Sequence, residues 1–237
     1  MKLKISFLFL SVFLFSACTA SKVVTPEKYK NIISKPVNEW SYEDCDAMIS
    51  KFTSFDQKGY EEKYVNVNYD GGKVFIKAVP LNETVIQAKI RKEAIIRRYS
   101  DDEYRNRLKD ELEFYTNKTL NLQSGEVILN SGKGMTETSF EVVFENISQP
   151  REPIELEYAS EGFFLENVNG DFARVVDMSG YYVEDYFVLI DKLKAVITFS
   201  IFDDNDKSIF NGSNLTEGYR LVFNGFQPEP IVVEWGN

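Results

Sequence analysis

Ser139-Phe140-Glu141-Val142-Val143-Phe144-Glu145 is the stretch on which the fold turns. Successive side chains of a β-strand point to opposite faces. Phe140, Val142 and Phe144 are therefore predicted to share an apolar face, while Ser139, Glu141 and Glu145 share a polar one. A slip of one residue would turn the whole apolar set to water, so the register of such a strand is strongly specified. The alternation returns in Ala195, Ile197, Phe199 and Ile201 and in Tyr219, Leu221 and Phe223. Further strands are expected over residues 154–158, 163–166, 173–176, 186–190 and 231–235.

Clusters of Gly, Pro, Asn and Asp separate these short runs, and helix signals are absent from them. That pattern predicts an all-β antiparallel sandwich of immunoglobulin-like kind over residues 121–237. It is an architectural analogy, made without the Cys-Trp-Cys core of antibody domains, and no function follows from it.

Toward the N-terminus the period changes. Residues 121–135 carry Ser124-Gly125 and Ser131-Gly132-Lys133-Gly134 around the apolar run Val127-Ile128-Leu129 and read as a linker into a first strand. Residues 38–120 read as a small α+β domain of helix, β-hairpin and two helices. Ser41 and Asp44 form a capping-box pattern, Trp40 is placed as a staple against Cys45, and Tyr42, Cys45, Ile49 and Phe52 follow at helical spacing. The hairpin is expected from strand-like runs at 64–69 and 73–79 around Asp70-Gly71-Gly72, which lacks the lysine and the strand-to-helix setting of a phosphate loop. A helix over 84–98 carries Arg91, Lys92, Arg97 and Arg98 among acids, read as an ion-paired face. Ser100 and Glu103 open a second helix whose Tyr104, Leu108, Leu112 and Tyr115 share a side. Residues 18–37 form a tether with a short helix introduced by Thr25-Pro26-Glu27.

Composition narrows the chemistry. The 237 residues contain no histidine, which removes Ser-His-Asp and Cys-His catalysis and His-containing zinc sites. Cys18 and Cys45 are the only cysteines. Cys45, on the predicted buried stripe and without a neighbouring His, Lys or Arg, reads as a core thiol. The formal charge is −10, which argues against nucleic acid or an anionic membrane surface as a partner, since both are bound through positive patches.

Residues 1–17 have the layout of a secretory signal. Lys2 and Lys4 precede an apolar run over 5–15, shorter than the roughly 20 residues needed to cross a bilayer. At Phe15-Ser16-Ala17-Cys18 the chain resembles the lipobox of bacterial lipoproteins. The resemblance covers this segment alone. It implies that a signal peptide over 1–17 is removed and that Cys18 becomes an acylated (palmitate-type) N-terminus, anchoring the protein to a membrane of the cell envelope. Thr19 is unlike the aspartate associated with inner-membrane retention, so where two membranes exist the outer one is preferred. With the signal gone, the 27 basic residues less Lys2 and Lys4 leave 25 against 37 acidic ones, a net of −12.

Other candidate sites have plainer readings. Asp203-Asp204-Asn205-Asp206 is the densest acidic cluster, but counted from Asp204 an EF-hand loop would need Gly and Glu where Ile209 and Leu215 stand. It reads as a solvated hairpin tip. Tyr181, Tyr182 and Tyr186 could stack on sugars, and Glu155, Glu157, Glu161 and Glu166 could be searched for a glycosidase pair. As ordinary loop-packing rings and outward strand glutamates they need no ligand. Sequons at Asn82, Asn117, Asn146, Asn211 and Asn214 read as coincidental. No catalytic, cofactor-binding or metal-ligating residue is expected. The expected role is a lipid-anchored envelope protein acting in binding or assembly, its partner an envelope protein or a glycan. The alternative is a lipid-anchored carbohydrate-binding module or carboxylate-dependent glycan hydrolase.

Overall fold

The computed structural model describes residues 24–55, 64–65, 72–130, 136–148, 153–157, 159–180, 186–203, 207–209, 218–224 and 230–235. Among these, the helices are α1 (Pro26–Ile33), α2 (Tyr42–Phe52), α3 (Glu83–Arg97) and α4 (Asp101–Tyr115). The strands are β1 (Ser54–Phe55), β2 (Tyr64–Val65), β3 (Gly72–Pro80), β4 (Lys118–Leu120), β5 (Val127–Leu129), β6 (Glu137–Asn146), β7 (Ile154–Glu157), β8 (Phe163–Asn167), β9 (Phe172–Ser179), β10 (Tyr186–Leu189), β11 (Lys192–Ser200), β12 (Tyr219–Phe223) and β13 (Ile231–Trp235). The chain is thus α+β with a large antiparallel, β-rich part.

One sheet runs in the order β1-β3-β6-β11-β9-β8-β12-β13, with β2 also paired to β3. β9 makes the corner. Its first residues, Phe172 to Arg174, pair with β8, and its later ones, Val175 to Ser179, pair with β11 across a register shift between Thr198 and Phe199. A register irregularity of this kind bends and twists a strand, and the two halves of the sheet fold over to face each other. Phe140, at 0% exposure, then meets Phe199 at 5.9 Å, Tyr219 at 5.8 Å and Trp235 at 5.4 Å between ring centroids. Phe144 likewise meets Phe163 at 6.0 Å and Phe223 at 5.6 Å. At the other margin β13 returns to β1: Trp235 Nε1 donates to the Phe52 carbonyl at 2.7 Å and the Ser54 hydroxyl donates to the Glu234 carbonyl.

Two expectations change here. An immunoglobulin-like sandwich has two separate sheets, whereas this strand order is a single path that nearly closes on itself, closer to a barrel. Alternation dictates which side chains face inward, but it does not choose neighbours. The boundary expected near residue 120 does not divide the sheet either. β3 pairs with β6 from Val74 opposite Asn146 to Pro80 opposite Phe140, and its Val74, Ile76 and Ala78 join the same core. Gly72 lies in β3 opposite Val65, and Asp70 and Gly71 of the expected turn lie outside the described residues. In the expected linker, Val127–Leu129 forms β5 and pairs with β4.

The helices form a layer on the outer face of the sheet. Val85, Ile86, Ile90, Leu108 and Leu112 pack with Val79, Leu81 and Leu120 into a second core. Ile32, Trp40, Cys45, Ala47 and Met48 pack with Ala88 of α3 into a third. Met48 fills the position on the α2 stripe that Tyr42, 39% exposed, was expected to share. Local sequence defines the helix ends well. Ser41 with Asp44 and Ser100 with Glu103 form complete capping boxes, and Asn82 accepts from the Val85 N–H at 3.0 Å, starting α3 one residue earlier than expected.

Gly180 ends β9 at φ +85°, and a Cβ there would stand 2.7 Å from the Lys194 carbonyl oxygen of β11. Gly180→Ala combines left-handed backbone strain with a backbone clash. It is expected to cost about 2 kcal/mol in urea unfolding. A loss within error of zero would show that the β9–β11 pairing gives way freely at this point.

Candidate functional site

The outer face of β6 lines a concave site. The sequence puts Ser139, Glu141 and Glu145 on the polar face of this strand, and Val143 falls in the same column. In the structure Ser139 and Val143 are buried, and α3 and α4 cover the column. A cleft of about 260 Å³ remains between the helices and the sheet, with Leu81, Ile86, Ile90, Tyr115 and Val196 as its apolar lining. Ser139 and Thr198 close a buried hydroxyl pair on the same face at 2.9 Å.

Glu141 is the polar centre of this cleft. Its Oε2 accepts from Lys89 Nζ of α3 and from Lys194 Nζ of β11, the latter at 2.6 Å. Burial alone would raise the Glu141 carboxyl, but the two lysines outweigh it and hold the group below its ordinary value. Burial pushes the Lys89 ammonium below its ordinary value, against the pull of Glu141. Sharing one carboxylate between two ammoniums leaves that spot one positive charge in excess. The other charges on the walls are neutralised in pairs: Arg107 with Glu111 at 2.7 Å and Arg97 with Glu93 at 3.0 Å. Lys89 and Lys194 each keep N–H donors beyond the one given to Glu141. The cleft can therefore hold one anionic group beside an apolar floor. A second, shallower hollow of about 220 Å³ lies at Asn167, Val168 and Tyr219, where Arg220 bridges Glu166 (2.7 and 3.0 Å) and Glu234 (3.8 Å) across three strands.

The residues singled out from sequence fare as follows. Cys18 and the signal residues 1–17 lie outside the described residues, as do Tyr181, Tyr182 and the sequons at Asn211 and Asn214. Cys45 is a free, buried thiol pushed up to about 11 by burial, as expected of a core cysteine. Of the acidic cluster only Asp203 is described. Its N–H donates to the Lys207 carbonyl at 2.9 Å and its Oδ1 accepts from the Lys207 N–H at 2.9 Å, beside the Phe202–Ser208 bridge, while the rest of the expected tip lies outside the described residues. Glu155 and Glu157 lie in β7 and Tyr186 in β10, paired across from Glu157. Glu161 is exposed, and Glu166 is bound to Arg220. Asn146 is fully buried, its amide donating to the Leu189 and Ile190 carbonyls, so it cannot carry a glycan. Asn82 serves as a helix cap. Among the described residues no group of three His, Cys, Asp or Glu could hold a metal ion. Of the basic string in α3, Lys92 pairs with Asp46 and Arg91 donates to the Trp40 carbonyl at 3.2 Å. Sequence reading missed the Glu141 cleft. The available signal was Val143, an apolar residue in a column otherwise polar.

No family model and no curated protein matches the chain. Among solved structures, the yjhA protein from Bacillus subtilis is similar at 18% identity and a TM-score of 0.25, over 40% of this chain and 60% of that one. The matched part thus spans about 60% of that protein's length, and a likeness at this score carries no argument.

Proposed function

We propose that this chain is a lipid-anchored protein of the bacterial cell envelope, tethered through acylated Cys18, with a folded head that acts in binding or envelope assembly. The observation that carries the reading is the N-terminal order: Lys2 and Lys4, an apolar run, then Phe15-Ser16-Ala17-Cys18. A single acyl chain gives only marginal attachment, so the several chains that a lipobox implies make release slow. The tether is short. From Cys18 to the Thr25 cap of α1 the chain reaches at most about 25 Å when fully extended. Thr19 favours the outer membrane in a cell that has two. The head supports a binding role through the cleft at Glu141, where Lys89 and Lys194 share one carboxylate beside an apolar floor and leave a positive charge for an anionic group.

Metabolic labelling with an alkynyl fatty acid tests the anchor. The wild type is expected to carry label and sediment with membranes, and Cys18→Ala to lose both. Label persisting on Cys18→Ala would overturn the reading. Crosslinking of the acylated protein in cells then identifies its partner.

A further inference from the structure

Three hydrogen-bond donors meet in the Glu141 cleft without a full set of acceptors. Lys89 and Lys194 each give one N–H to the same oxygen, Glu141 Oε2, so their ammoniums flank a single atom and stand close enough for a second carboxylate to bridge them. An ammonium has three donors. Among the described residues Glu141 is the one acceptor of Lys89 and of Lys194. The third donor is Tyr115, which lines the same cleft. Burial, then the charges of Glu111 and Glu141, push its phenol above the ordinary value, and among the described residues its hydroxyl makes no hydrogen bond.

The other charges on the walls already have partners. Arg107 pairs with Glu111, and Glu93 accepts from Arg97 at 3.0 Å and from the Tyr99 hydroxyl at 2.9 Å. The exposed Asp177 of β9 also acts on Tyr115, from a position where water screens it. Two ammoniums against one carboxylate leave one positive charge in excess, with Leu81, Ile86, Ile90 and Val196 as the apolar surface beside it. At about 260 Å³ the cleft falls below the range of about 300–1,000 Å³ that takes drug-sized ligands, so its occupant is small, on the order of ten non-hydrogen atoms.

Resting on the reading of the head as a binding module that uses this cleft, we propose that the occupant is a small monocarboxylate with a hydrocarbon body, its carboxylate held by Lys89, Lys194 and Tyr115. A single negative charge matches the single positive excess. A phosphate monoester, with a charge of about −1.5 to −2 at pH 7, would leave negative charge uncompensated beside Glu141 and Glu111. A neutral molecule would leave N–H donors of the partly buried Lys89 without an acceptor.

The full-length protein isolated from cells is titrated with hexanoate, hexanol and hexyl phosphate, and binding is followed by ligand-observed NMR. Hexanoate is expected to bind about tenfold more tightly than either of the others. The Lys194 side chain is 60% exposed, so Lys194→Met keeps the fold; it is expected to weaken hexanoate about tenfold and to leave hexanol unchanged. Tyr115→Phe is expected to weaken hexanoate about fivefold with no change in the urea midpoint, because the hydroxyl has no partner among the described residues to lose. Lys192→Met, which removes the neighbouring β11 lysine that pairs with Glu145, should change neither. Equal binding of hexanoate and hexanol, in competition with each other, overturns the carboxylate and leaves the cleft a binding site. Tighter binding of hexyl phosphate overturns the single-charge match, and hexanoate binding indifferent to both Lys194→Met and Tyr115→Phe overturns the placement. No binding of any of the three, by a protein that still unfolds cooperatively in urea, overturns the use of this cleft for binding, and the monocarboxylate falls with it.

Discussion

Phe140→Ala is expected to remove about 4 kcal/mol of stability, the largest loss from any single truncation proposed here. Phe140 is fully buried on β6, between β3 and β11. Its ring touches Phe199 in its own half of the sheet and Tyr219 and Trp235 in the facing half. The cavity left by truncation would open where the two halves meet, and the surrounding strands are fixed by pairing on both sides of β6, so collapse into the space is limited. Urea unfolding followed by far-UV circular dichroism measures the loss. Phe114, 73% exposed, is the control, and Phe114→Ala should cost less than about 0.5 kcal/mol. A Phe140→Ala loss below about 2 kcal/mol would show that the two halves do not share one core.

The second large effect is at Glu141. Glu141→Gln leaves Lys89 beneath α3 without its anion and is expected to cost about 2 kcal/mol, below the value for a fully buried pair because both lysines reach partly into water. Replacing both partners tells a structural charge from a necessary one. Lys89→Met with Glu141→Leu removes the desolvation cost along with the attraction and should fall within about 1 kcal/mol of the wild type, Lys194 remaining solvated. The same carboxylate sets an acid limit. Its folded pKa lies below its unfolded one, so its contribution is present above the ordinary glutamate value of 4.5 and is lost as pH falls through the folded value. Stability of the wild type should drop with acidification below about pH 4.5, and the Glu141→Gln curve should be flatter there. Parallel curves for the two proteins would remove Glu141 from the account.

Features decided by a few neighbouring residues were legible in the sequence. The capping boxes at Ser41 and Ser100 and the inward faces of β6, β11, β12 and β13 follow from local hydrogen bonding and alternation. Strand neighbours were not legible, because they depend on contacts between distant residues. β3 reads as one arm of a local hairpin, yet it lies beside β6. Glu141 reads as solvent-facing because nothing in its own strand announces the helices above it. Only Val143, two residues on, carries a trace of them.

The seam between β1 and β13 bears on how the molecule comes to be folded. Trp235 hydrogen-bonds to Phe52 across 183 positions of sequence, so the last described strand closes on one of the first. Such contacts carry a heavy loop-closure entropy and place the β-rich part among slow folders, on the millisecond-to-second scale. A chain emerging N-terminus first lacks its closing strand until β13 has been made. The sheet can therefore close only once β13 is available, whatever has formed before it.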